Sequence, residues 1–263
     1  MLDDEMKERI DATAAASARG RQVLIVLIIA SVFVFSIWWN GRPDSWISAN
    51  YRIPDAILRL EAGERVSDPD LARRARELQQ EAGWSTETLE KFRSEYYKIW
   101  LDNTLVLKIP FFGVAIHQAD VGLVGGFTFV VIMMWLIFSM GGERTNLLST
   151  FEHARAKGRL DTVFELLAMR QVLTTPSRRS ESRSRLWGKL PKALFALPLL
   201  SHSLYVYSDL SSIRMGYLMS PSTAATVLLG GLASWLLLLL LTVQAFVTSE
   251  KIDSIWKHAA QEI

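Results

Sequence analysis

The chain has 263 residues, half of them apolar and 21% charged, with a formal net charge of +2 and no cysteine. Disulfides, cysteine-based zinc centres and thiol nucleophiles are therefore excluded, and the small net charge by itself points to no particular partner. The mixture is too apolar for an ordinary soluble domain and too charged for a wholly embedded one. It suits membrane spans joined by aqueous segments.

Residues 1–21 read as a tail that ends in Arg19 and Arg21. "QVLIVLIIASVFVFSIWW", residues 22–39, carries no charge and ends in Trp38 and Trp39, whose amphipathic rings favour a membrane interface. Its apolar core is longer than that of a secretory signal, and no small-x-small cleavage pattern follows, so it is expected to remain as an anchor. Residues 40–120 form an aqueous segment. Within it "SDPDLARRARELQQEAG" predicts a helix capped by Asp68, with Pro69 in the first turn and Gly83 at the end. "STETLEKFRSEYYKIW" predicts a second helix capped by Ser85, with Leu89, Phe92, Tyr96 and Ile99 along one apolar face. "LVLKI" and "GVAIH" flank "PFFG", which predicts a short β-hairpin over 105–117 turning at Pro110–Gly113.

The second span is predicted over 121–140, with Asp120 as its helix cap. Residues 141–191 contain ten basic and five acidic side chains and read as a basic helical hairpin bent at Gly158. Such a hairpin either docks a partner or packs on itself and the spans. The segment 192–210 is a weaker third span, shorter and interrupted by Pro198, His202 and Asp209; a helix lying in the interface is the competing reading. After a short loop over 211–222, residues 223–248 form the clearest span, and 249–263 a second tail. The fold class is thus an all-α polytopic membrane protein. It has four transmembrane helices, a small extracytoplasmic helical domain, and a hairpin before the second span.

Basic flanks set the orientation. "RRSESRSRLWGKLPK" holds six basic residues against one acid, while the short loop between the last two spans carries only Arg214. Both termini and the basic hairpin are expected in the cytoplasm. The expected compartment is the inner membrane of a bacterium.

The search for chemistry returns little. The four histidines, His117, His153, His202 and His258, lie in four segments with no H-x-x-x-H or H-E-x-x-H spacing. No phosphate loop, dinucleotide fingerprint or G-x-S-x-G appears. No metal, cofactor or catalytic residue is expected.

What remains concerns packing and lipid. Gly122 and Gly126 form G-x-x-x-G, and Gly230 and Ser234 repeat the small-x-x-x-small spacing, so these helices can approach closely, within one chain or between two. Arg178, Arg179, Arg183, Arg185 and Lys189 precede a span and are placed to contact anionic headgroups. Nucleic acid is not expected, because no module is present to carry it. His202, deep in a span, is a candidate polar site, either a bond to a neighbouring helix or a titratable gate. The composite expectation is a non-enzymatic scaffold or accessory subunit of a membrane complex, with a protein partner or a homo-oligomer. The alternative is an oligomeric channel or transporter built around His202.

Overall fold

The computed structural model describes residues 3–42, 46–100, 106–109, 114–169, 192–214 and 221–263. Among the described residues the fold comprises eight helices and one two-stranded hairpin. In chain order these are α1 (Asp4–Gly41), α2 (Trp46–Glu61), α3 (Pro69–Ala82) and α4 (Thr86–Trp100). Next come β1 (Val106–Ile109), β2 (Val114–His117), α5 (Gln118–Ala156), α6 (Leu160–Met169), α7 (Leu197–Arg214) and α8 (Pro221–Gln261). The chain divides into two compact units, Val34–Gly122 and the remainder.

In the larger unit, three helices dominate. α1, α5 and α8 are each long and apolar enough to cross a membrane. Each also runs well past its apolar run, and the reason is a continuous heptad-like repeat. On α1 the buried positions include Met6, Ile10, Thr13, Ser17, Gly20, Leu24, Leu27 and Ser31, stepping by three and four. On α5 they include Phe129, Met133, Leu136, Met140, Glu143, Leu147, Phe151 and Ala154. On α8, Leu238, Ala245, Ile252, Trp256 and Ala259 continue the stripe to the end of the chain. One seam therefore serves both an apolar stretch and its polar continuation, because the step of three and four residues, not hydropathy, decides which side faces a neighbour.

Residues 4–21 and 249–261 are helical and continue α1 and α8 beyond their apolar runs. The hairpin bent at Gly158 forms, with Gly158 at φ 63°, and α5 runs into it without a break. α6 covers Leu160–Met169, and the rest of the segment up to Pro191 lies outside the described residues, including Arg178, Arg179, Arg183, Arg185 and Lys189.

The weaker span becomes α7. It has 18 residues, roughly 27 Å of helix, and is not among the three long apolar helices. Its polar content is why: His202, Asp209 and five serines fall within one short element.

The smaller unit holds α2–α4 and the hairpin. The caps match expectation: the Asp68 carboxylate accepts from the amides of Asp70 and Leu71, each at 3.1 Å, and Gly83 adopts φ 57° at the end of α3. The Thr88 amide donates to Ser85 Oγ at 3.3 Å, opening α4. Ala56, Ile57, Ala75 and Leu89 form the core, with Trp84, Leu71 and Val66 packed around it. β1 and β2 pair antiparallel, with Val106 opposite His117 and Ile109 opposite Val114. The Pro110–Gly113 turn lies outside the described residues. Because β2 passes directly into α5, the helix starts at Gln118. Asp120 is thus the third residue of α5, in the first turn, and not its cap. It still lies in the first turn, where the helix dipole favours an anion.

Candidate functional site

Ser201, His202 and Ser203 are consecutive on α7, so their side chains leave the helix about 100° apart. Each meets a different neighbour. The Ser201 hydroxyl donates to the Ser31 carbonyl of α1 at 3.1 Å. His202 Nε2 lies 2.9 Å from Ser234 Oγ and 3.2 Å from the Gly231 carbonyl, both on α8. The Trp235 indole donates to Ser203 Oγ at 2.8 Å. One tripeptide thus binds α1 and three residues of α8, Gly231, Ser234 and Trp235.

The acceptors fix the chemistry of the imidazole. A carbonyl oxygen can only accept, so contact with Gly231 requires a proton on Nε2. Ser234 Oγ lies 2.8 Å from the Gly230 carbonyl and 3.0 Å from the Gly231 carbonyl of its own helix, and its hydroxyl donates to these acceptors. Its lone pairs are then available to the Nε2–H. His202 is 1% exposed and Ser234 9%, so these bonds form out of contact with water, where an unmade bond is costly.

α5 closes the site from a third side. A Cβ built on Gly126 would stand 2.5 Å from His202 Cε1 and 2.7 Å from Ser234 Oγ. Only hydrogen fits there. One Cβ on Gly230 would run into the Leu123 side chain of α5, and one on Gly231 would touch Val206 at 3.7 Å. Gly126, Gly230 and Ser234, expected as packing residues, and His202, expected as a polar site, therefore sit together along contacts among α5, α7 and α8. Gly122 belongs to the smaller unit, where it is buried.

A second assembly forms where both chain ends meet the Gly158 turn, here termed the terminal bundle. Phe151, Phe164 and Trp256 pack ring against ring, Trp256 meeting each of the others edge-on at 5.1 Å. Above them Thr13 and Thr150 hydroxyls lie 3.0 Å apart, and Arg9 donates to Ser149 at 2.6 Å. Ion pairs rim the bundle. Arg155 forks onto Glu262 at 2.7 and 2.8 Å, Asp3 pairs with Lys157, and Lys192 bridges Glu250 and Asp253 at 2.5 and 2.6 Å. The Lys157 hydrogen bond holds the Asp3 carboxyl below its usual range, and the Arg9 bond does the same for Glu5.

Glu143 is the functional candidate that sequence reasoning passed over. It was counted among the acids of the basic hairpin, outside the span. It is 0% exposed, and a Cβ on Gly20 of α1 would lie 3.9 Å from its Oε2. The signal was present in the spacing: Glu143 falls three residues after Met140 and four before Leu147, on the seam. Among the described residues, no three His, Asp or Glu side chains gather as a metal-ligand set. His117 lies in β2 and His258 is exposed on α8.

Three long apolar helices, by length and composition, define the class: a multi-pass membrane protein. Comparison with protein-family models, with curated proteins and with solved structures returns no match at any of the three levels.

Proposed function

We propose that this chain is a non-enzymatic scaffold or accessory subunit of a membrane-embedded complex, with α7 as a fourth span. The carrying observation is how the polar groups of α7 are used. Ser201, His202 and Ser203 join helix to helix, with Gly126 pressed against the imidazole. A side chain held that way serves packing; a transport site needs polar groups turned to a passage. The caps and core of the smaller unit and the aromatic core of the terminal bundle supply two aqueous modules on which partners can assemble.

The basic flanks favour both termini in the cytoplasm of a bacterial cell, with the smaller unit outside. Anionic lipid remains the favoured contact of Arg178, Arg179, Arg183, Arg185 and Lys189. The test is isolation of the tagged full chain in mild detergent. A stoichiometric protein partner that survives purification is the expected result. A monodisperse chain without partner, giving a His202-dependent flux in liposomes, overturns the scaffold reading in favour of a channel.

A further inference from the structure

We propose that the groove between α5 and α8 holds an anionic phospholipid, its phosphate between Arg144 and Lys251 and its hydroxylated headgroup in the cleft beyond them. α5 and α8 run parallel and in register. Leu123 meets Gly230, Gly126 meets Ser234 and Phe151 meets Trp256, pairs 105 to 108 residues apart in the sequence. Arg144 and Lys251 are 107 apart and so stand at one level. Both side chains are exposed, and among the described residues neither has an ion-pair or hydrogen-bond partner. Two like charges facing one groove repel, and an anion between them removes that cost.

Toward the chain end the groove deepens into a cleft of about 150 Å³. Leu148, Phe151 and Ile255 give it apolar walls, Glu152 and Ser254 polar ones. Arg144 stands one turn before Leu148, and Lys251 one turn before Ile255. Both cations therefore lie at the mouth of the cleft, on the helix faces that line it. Arg155 also lines the cleft, but its guanidinium is taken up by Glu262. A drug-sized ligand needs roughly 300–1,000 Å³, so this cleft takes only a small group. A hydroxylated headgroup suits it, because Glu152 and Ser254 can accept from O–H donors. A second phosphate would meet the Glu152 carboxylate.

The other end of the groove makes the occupant a lipid. The apolar runs of α5 and α8 end at Met140 and Val247, and each cation stands four residues further on. That is about 6 Å of helix, the depth of one headgroup layer. On α8, exposed Leu240, Val243 and Val247 lead by three- and four-residue steps to Lys251. Beside Arg144, a Cβ on Gly141 would meet nothing within 4 Å, so the approach is open. An acyl chain can follow that stripe while its phosphate meets both cations, whereas a soluble anion would use the cations alone. The site is independent of the scaffold reading and of the basic run before α7.

The test is native mass spectrometry of the full chain, released from micelles containing phosphatidylglycerol, phosphatidylcholine or phosphatidic acid. Wild type should carry one phosphatidylglycerol more than the double variant Arg144→Ala, Lys251→Ala. It should also carry more phosphatidylglycerol than phosphatidylcholine, and excess inorganic phosphate should not displace it. Equal retention by the two proteins overturns the proposal. So does displacement by phosphate, because the site is then one for a free anion. Loss of a protein partner, rather than of lipid, from the double variant overturns it too, because the groove then docks protein. Ser254→Phe fills the cleft and leaves the cations in place. It should lose phosphatidylglycerol but keep phosphatidic acid, which has no headgroup beyond its phosphate; retention of both rejects the cleft as the headgroup seat. Should the double variant lose its helical circular dichroism, wild type decides alone: equal retention of phosphatidylglycerol and phosphatidylcholine rejects the site.

Discussion

The Nε2 of His202 and the Oγ of Ser234, 32 residues apart in sequence, lie 2.9 Å from one another in the buried contact between α7 and α8. The Ser234 hydroxyl is turned to a carbonyl of its own helix, so it accepts from the imidazole and the two behave as one unit. Replacing each by alanine, singly and together, should give a coupling energy of about 0.6 and at most roughly 1.7 kcal/mol, the span measured for hydrogen bonds between membrane helices. Unfolding in mixed micelles measures it. Additive losses would mean that the bond is not maintained in the membrane.

Gly126 and Gly141, both on α5, should respond oppositely to alanine. A methyl at Gly126 collides with His202 and Ser234, whereas nothing lies within 4 Å of one at Gly141. Overpacking of this kind costs about 1–3 kcal/mol. At Gly141 the better helix former should instead stabilise by roughly 0.5–1 kcal/mol. Melting of the two variants in one detergent checks both signs.

Trp256 anchors the terminal bundle between Phe151 and Phe164. Trp256→Ala should cost about 3–5 kcal/mol, as for other buried large aromatics. Hydrogen exchange should rise together in residues 4–17, 147–156 and 249–261, since these form one cooperative bundle. Exchange confined to 249–261 would show that the chain end packs independently.

Asp3 and Glu5 both have carboxyl groups held below their ordinary values, by the bonds from Lys157 and Arg9. A lowered folded-state pKa contributes stability above the unfolded value, and that contribution disappears as pH falls through the folded one. Protection of the first turns of α1 should therefore be constant at neutral pH and decline below about pH 4, where unperturbed carboxyls titrate. Asp3→Asn should flatten the decline when followed by exchange.

In the smaller unit, Asp68→Ala removes the side chain that caps α3 and should cost about 1 kcal/mol. The loss should appear as weaker protection of the Asp70 and Leu71 amides, which the carboxylate now satisfies.

Sequence alone determined the apolar runs, the caps at Asp68 and Ser85, the turn at Gly158 and the small residues at Gly126, Gly230 and Ser234. Each is a local property: a stretch without charge, a side chain able to reach a nearby amide, a residue without a Cβ. Tertiary structure decided which of them meet. That Gly126, His202 and Ser234 share one contact depends on three helices far apart in the chain. It also decided where the helices end. Hydropathy falls away at Arg21, Met140 and Val247, and a reading by hydropathy stops there. The seam on α1, α5 and α8 runs on, carrying Thr13, Glu143 and Trp256 into the interior, because a helix is extended by the neighbours its face can bury, polar or apolar.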